Sequence, residues 1–112
     1  MASRKAAPKK INATINATTN ATAQLRELRK SIDNLDAALI CLLAERFRIT
    51  TQVGHLKAEH GIAALDPKRE AAQGVRIRAL ANKSGLNPQF AEQILRFILK
   101  DVVRKHRAIA AG

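Results

Sequence analysis

Aromatic and cysteine side chains are scarce in this 112-residue chain, which has no Trp, no Tyr and a single Cys. Its core must therefore be built from Ala, Leu, Ile and Val, as is common in helix bundles. Proteins that bind single-stranded nucleic acid usually stack bases on aromatic side chains, so the shortage counts against that class. Cys41 has no intrachain partner for a disulfide, which favours a reduced compartment.

Long apolar runs and metal-binding motifs are missing as well. No segment approaches the roughly 20 apolar residues of a membrane span, and the N-terminus lacks the apolar stretch of a secretory signal. No spacing of Cys and His fits a zinc site, and no nucleophile is paired with a base. We therefore expect a cytoplasmic protein with no membrane contact, no metal and no cofactor.

Positive charge dominates, with 20 Lys and Arg residues against 9 Asp and Glu residues and a formal net charge of +11. This surplus predicts an anionic partner: nucleic acid, a membrane surface or a small acidic substrate. Residues 1–24 combine a basic segment with a repeated Asn-Ala-Thr unit, and such low-complexity polar sequence rarely forms a packed core. We predict a basic tail over 1–24, either a linker or a loose helical extension, and a helical domain over 25–112.

A heptad pattern begins at Leu25 and predicts one long helix from about residue 25 to 59. At 1.5 Å per residue that helix would be roughly 50 Å long, whereas a compact subunit of this size has a radius of gyration of about 13 Å. The apolar seam therefore needs a second chain to cover it, and we predict an intertwined homodimer. Seam residues recur at steps of three and four: Leu25, Leu28, Ile32, Leu35, Leu39, Leu42, Ile49, Val53 and Leu56.

Two shorter helices are predicted after the long one. Asp66 and Pro67 suit the N-cap and first position of a helix that runs to about Lys83, where Gly85 provides a left-handed cap. Asn87 and Pro88 start a third helix in the same way, and it should continue to about Arg107. Its predicted apolar stripe is Phe90, Ile94, Phe97, Ile98 and Val102. No strand is apparent, so the predicted fold is all-α, with one long, one short and one medium helix.

Arg46 occupies a seam position that Leu or Ile should fill. A lone polar residue there can simply fix helix register, but a buried Arg needs a partner, and an anionic ligand between helices would supply one. Lys57 lies about three turns further along the same helix and can share that site. Arg29 can join only if an antiparallel partner chain brings it alongside. Taken singly, Arg29 and Lys57 also fit solvated edge positions.

Further candidate site residues lie at the start of the second helix, where several are charged, and near the end of the third helix, where there is a histidine. Asp66 caps the helix and Glu70 complements its dipole, but a cation at Arg69 is unfavourable in a first turn unless an anion lies against it. His106 follows Val102 by one turn. Either its charge interacts favourably with the C-terminal end of the helix dipole, or its ring points a hydrogen-bonding group into a cavity.

These residues lie in segments that resemble the all-helical chorismate mutase family. The resemblance covers residues 25 to about 107 and implies an intertwined homodimer whose long first helix is shared between two active sites. It implies an isomerase that converts chorismate, a small dianion, to prephenate in the shikimate pathway to aromatic amino acids. The enzyme would fold the substrate into its reactive conformer and stabilise charge on the breaking ether oxygen, without covalent catalysis. The matching segments are LRKSIDNLD (28–36), LLAER (42–46), VGHLK (53–57), DPKRE (66–70) and GLNPQFAE (85–92).

The resemblance also implies a role for each charged residue. Arg46 would hold one carboxylate through a bidentate pair, and Arg29 of the other subunit would hold a carboxylate as well. Lys57 would donate to the ether oxygen and a carboxylate. Arg69 would lie near the ring end of the substrate, while Asp66 and Glu70 would hold its hydroxyl region.

Two positions depart from the family pattern. His106 stands where the family usually has Gln or Glu, next to the ether oxygen, and Val102 replaces a frequent Ser one turn earlier. Neutral imidazole donates one hydrogen bond and imidazolium donates two with charge. We therefore expect activity to persist and to rise as His106 becomes protonated.

Three other functions compete with this one. A related lyase removes pyruvate from isochorismate on the same fold, although Asp66 and Glu70 favour the mutase. A second possibility is a non-catalytic dimer whose tail binds nucleic acid, and a third is a mutase-like protein that has lost catalysis. Turnover of chorismate separates all of them.

Overall fold

Three helices make up nearly all of the computed structural model, which describes residues 9–112. They are α1 (Lys9–Glu59), α2 (Pro67–Ser84) and α3 (Pro88–Ala110). No strand occurs between residues 9 and 112, so the prediction of one long, one short and one medium helix is confirmed. The first eight residues of the predicted tail lie outside the described part. None of the described helices is long and apolar enough to cross a membrane.

The α1 helix starts well before Leu25, at Lys9. The Asn-Ala-Thr repeat is therefore a helical extension, one of the two alternatives that the sequence left open. Thr14 and Thr22 of the repeat satisfy their hydroxyl groups within the helix by donating to the carbonyls of Lys10 and Thr18, at 2.9 Å each. These side-chain hydrogen bonds satisfy the hydroxyl groups inside the helix, and the alanines of the repeat are strong helix formers. A polar repeat can therefore remain helical.

The chain divides into two units, Met1–Leu43 and Ala44–Gly112. In the described part of the first unit, the predicted seam of α1 is open to solvent: Leu28 is 62% exposed, Leu35 69% and Leu42 69%. These side chains therefore contribute no core within one chain.

The second unit has helix ends built as the sequence predicts. Asp66 caps α2, its Oδ1 accepting the Arg69 backbone N–H at 3.0 Å, and Pro67 follows as the first helical residue. Gly85 ends α2 with a φ of 77°, in the left-handed region that glycine adopts without strain. Asn87 caps α3 by accepting the Gln89 N–H at 2.9 Å.

The buried face of α3 differs from the predicted stripe. Phe97 is 80% exposed, Phe90 51% and Ile94 44%, so these three assignments were wrong. Apolar residues surround much of α3, and periodicity alone could not choose among its faces. Packing favours the face that carries Ala91, which lies buried like Ala81 of α2, because small residues let two helices approach closely. The buried residues of α3 are Ala91, Leu95, Leu99, Val102 and His106.

Candidate active site

A cavity of about 310 Å³ opens in the second unit, between the end of α1, the loop before α2, and the facing sides of α2 and α3. Six of the seven predicted site residues line it: Arg46, Lys57, Asp66, Arg69, Glu70 and His106. Residues from three helices thus meet at one place, although 60 positions of sequence separate the first from the last.

Arg29, the seventh predicted residue, belongs to the first unit. It is exposed on α1 and lines a surface depression with Leu25, Arg26 and Asp33. Within a single chain it is therefore a solvated cation.

Arg46 carries a buried donor with no partner. Its side chain is half-buried, and its Nη1 atom is shielded from solvent yet hydrogen-bonds to no described residue. Leaving a charged donor buried and unpaired costs free energy, which an anionic ligand would recover. The guanidinium can hold a carboxylate by two parallel hydrogen bonds.

Lys57 lies in the last turn of α1, where the helix dipole favours a cation. Its Nζ donates to the carbonyl of Ala64 at 3.2 Å, which ties the loop before α2 to the end of α1. An ammonium group has three donors, so two remain for a ligand in the cavity.

The first turn of α2 adds a cation and two carboxylates to the cavity wall. One oxygen of Asp66 is already engaged in the helix cap. Glu70 is half-buried and Arg69 is exposed. In the described chain, neither Arg69, Arg46 nor Lys57 forms an ion pair. The cavity therefore holds three unpaired cations against two carboxylates, a balance that suits an anion.

His106 is the most buried polar residue of the site, with 5% of its surface exposed. Its Nε2 lies 2.7 Å from the carbonyl oxygen of Thr50 on α1. A carbonyl only accepts, so Nε2 carries the hydrogen. The other ring nitrogen, Nδ1, is buried and has no partner among the described residues.

Apolar side chains form the rest of the wall. Val102 is 8% exposed, and its apolar side chain supplies no hydrogen bond to the cavity. Leu99 is buried as well, whereas Ile49 and Val53 are 52% and 39% exposed, so the α1 side of the cavity is open to solvent. The apolar lining residues are Ile49, Val53, Leu99, Val102 and Val103.

Sequence reasoning missed three residues of this site. Gln73 lines the cavity one turn after Arg69 and Glu70, so helical spacing could have revealed it. Thr50 contributes its backbone carbonyl, a group that every residue has, so its residue type could not have indicated this role. Gly54 is buried inside α1, and a glycine within an uninterrupted helical pattern often has a packing reason.

Comparison with known proteins places these residues within one family region. The family model "Chorismate mutase type II" matches residues 28–107, which include Arg29 and all six cavity residues. The chain is 38% identical over 77 residues to the T-protein of Haemophilus influenzae, covering 69% of this chain and 20% of that protein. It is 31% identical over 77 residues to the chorismate mutase of Methanocaldococcus jannaschii, covering 69% of this chain and 78% of that protein.

A bifunctional chorismate mutase/prephenate dehydratase of Aquifex aeolicus is 30% identical over 80 residues, covering 71% of this chain and 22% of that protein. The chain spans about a fifth of the length of the two T-proteins that it matches, at 20% and 21%.

Proposed function

Because the chain belongs to the chorismate mutase type II family, we propose that it catalyses the rearrangement of chorismate to prephenate. One observation carries the proposal: Arg46, Lys57 and Arg69 line one cavity without ion pairs, and Arg46 has a buried donor free. A dianion of the size of chorismate would satisfy these donors.

The reaction needs no covalent bond to the protein, so catalysis consists of positioning and electrostatics. Arg46 grips one carboxylate and Arg69 lies near the ring end of the substrate. Lys57 and His106 approach the ether oxygen, where negative charge grows as the bond breaks. Glu70 and the free oxygen of Asp66 hold the hydroxyl region.

We further propose that the active form is a homodimer in which Arg29 reaches the cavity of the partner subunit. The support is the open seam of α1, since apolar side chains at heptad spacing rarely stay in water along a whole helix. In the first unit, the seam residues are 48–69% exposed: Leu25, Leu28, Ile32, Leu35, Leu39 and Leu42. The second carboxylate of chorismate gives Arg29 its partner.

We place the enzyme in the cytoplasm. Cys41 is a free and exposed thiol, which a reducing compartment preserves. Nucleic acid is not needed to explain the basic surplus once the substrate is a dianion.

Turnover of purified protein with chorismate tests the proposal, followed by loss of chorismate absorbance and by chromatographic identification of prephenate. Isochorismate is supplied in a parallel reaction, and release of pyruvate from it in place of prephenate formation would reassign the site to a lyase. Arg46→Ala should abolish turnover. Arg48→Ala is the matched control, because Arg48 is exposed on the same helix and pairs with Glu45 at 2.6 Å.

A further inference from the structure

The His106 ring contacts the backbone of α1, and this contact decides which ring nitrogen a ligand can meet. We propose that Gly54 and the Thr50 carbonyl are positioning elements that leave only Nδ1 for the substrate, and that the dianion is bound with His106 doubly protonated. The second part rests on the proposed function, whereas the first concerns the free protein.

The hydrogen bond to Thr50 fixes the neutral ring as the Nε2–H tautomer. The Nε2 atom lies 2.7 Å from the carbonyl oxygen, a strong contact that requires a hydrogen on the nitrogen. A neutral imidazole has one N–H, so Nδ1 then carries only a lone pair. The neutral ring therefore offers the ligand an acceptor, and it can donate to an ether oxygen or carboxylate only after Nδ1 gains a proton.

Gly54 makes this contact possible. A Cβ added at Gly54 would lie 2.7 Å from Cδ2 and 3.2 Å from Nε2 of His106, and 2.9 Å from Cδ1 of Ile109. Real Cβ atoms do not approach other atoms so closely, so α3 or the ring would have to move. Glycine weakens a helix interior relative to alanine, and its presence in α1 is explained by the space that His106 occupies.

Charged groups line the cavity around the ring, and a bound dianion would add oxygen acceptors to it. Arg46 and Lys57 line the cavity from α1, and Asp66, Arg69 and Glu70 line it from α2. On α3 itself, Lys105 is engaged elsewhere, 2.8 Å from Asp101 and 4.3 Å from the centre of the Phe47 ring. With Arg29 of the partner subunit counted, four cations face two carboxylates and the dianion, so the bound site has no net charge. The second proton on the ring is therefore favoured by the oxygen acceptor that the ligand brings to the partnerless Nδ1, and not by a surplus of negative charge.

Nitrogen NMR of the histidine rings tests both parts on the full chain. Long-range 1H–15N spectra distinguish the two neutral tautomers and the doubly protonated ring. His106→Gln assigns the His106 signals by their loss, and the exposed His55 and His60 serve as internal references. We expect the Nε2–H tautomer in the free protein near neutral pH and a doubly protonated ring with saturating prephenate, the dicarboxylate product.

The outcomes separate the two parts. An Nδ1–H tautomer in the free protein would overturn the positioning role, whatever the enzyme does. Chemical-shift changes elsewhere in the site report that prephenate is bound. A His106 ring that stays neutral in this bound state would overturn the proposed protonation and make Nδ1 an acceptor for the ligand hydroxyl. If prephenate and chorismate both fail to bind, the proposed function and the protonation fall together, and the free-protein spectrum still decides the tautomer.

A pair of glycine variants tests the positioning role in turnover. Gly54→Ala should remove the Nε2–H signature, lower kcat at least about tenfold and flatten its pH dependence. Gly74→Ala is the matched control, because a Cβ there would meet only Glu92 Oε1 at an ordinary 3.6 Å. It should leave the spectrum and turnover unchanged. A Gly54→Ala protein with the wild-type spectrum and pH profile would overturn the proposal, and the wild-type spectrum remains decisive if this variant fails to fold.

Discussion

Arg78 of α2 donates through Nη1 to both carboxylate oxygens of Glu92 on α3, at 3.1 Å each. Arg96, one turn further along α3, donates to the same carboxylate at 3.1 Å. The two guanidinium groups, Arg78 foremost, hold the pKa of Glu92 below its ordinary value of 4.5. This cluster joins the two helices whose facing sides form part of the cavity wall.

Glu92 should make the free energy of unfolding depend on acid. A carboxyl group whose pKa is lower in the folded state stabilises the fold above its unfolded pKa of 4.5, and that contribution is lost as the pH falls through the folded value. Glu92→Gln should therefore destabilise at neutral pH and flatten the decline in acid, in urea unfolding at a series of pH values. Glu45→Gln, in an exposed pair with Arg48, is the control. Equal acid slopes for Glu92→Gln and wild type would contradict this role.

Arg46→Lys should keep the charge and lose the planar fork that holds a carboxylate. We expect kcat/KM to fall by about 100-fold, the scale of losing one well-placed donor to the transition state. Arg48→Lys, two residues further along α1, provides the control, because that side chain is 65% exposed. Steady-state kinetics at fixed pH measure both. If Arg46→Lys turns over chorismate like wild type, bidentate binding at this position is wrong.

Turnover of wild type should rise on the acid side as His106 gains its second proton, and His106→Gln should remove that rise. A glutamine amide donates without titrating, so the variant should be active with a flatter profile. His60→Gln, at an exposed position beyond α1, should keep the wild-type profile. The measurement is kcat/KM, which follows the protonation of the free enzyme, across the range in which histidines ordinarily titrate. A flat profile shared by wild type and His106→Gln would remove His106 from the proton dependence.

Mixing two inactive variants should restore activity if Arg29 acts across subunits. In a heterodimer of Arg29→Ala and Arg46→Ala chains, one of the two sites keeps both arginines and the other loses both. Random exchange should therefore recover about a quarter of wild-type turnover, since half the dimers are mixed and each has one intact site. As the control, each variant alone is taken through the same subunit-exchange procedure. No recovery after demonstrated subunit exchange would place Arg29 outside the partner's cavity.

Leu35→Glu should dissociate the dimer, because it puts a charge in the middle of the seam. Asn34→Glu adds the same charge at the preceding residue of α1, outside the heptad seam, and should leave assembly intact. Sedimentation velocity distinguishes the species. The chorismate assay on the same samples should follow the dimer fraction. A dimeric Leu35→Glu protein would show that another surface holds the subunits together.

Local signals made some features predictable and not others. The caps at Asp66, Gly85 and Asn87 depend on neighbouring residues only, and the sequence was sufficient for them. The buried face of α3 depends on which neighbour packs against it, so a helix apolar on several sides misled the stripe assignment at Phe97. Charges that break the apolar pattern or stand at a helix start singled out the cavity residues, and the family resemblance then implied that they share one substrate. The contact of His106 with the Thr50 carbonyl joins residues 56 positions apart through a backbone atom, and residue types do not encode it.

The space left by Gly54 has an evolutionary consequence. Since the His106 ring fills that space, the two positions share one volume and cannot drift independently. In related chains, a side chain at position 54 should occur only together with a shorter residue at position 106. In an alignment of related chains, the residues at positions 54 and 106 should therefore covary, because the side chains at both positions must fit into the same space.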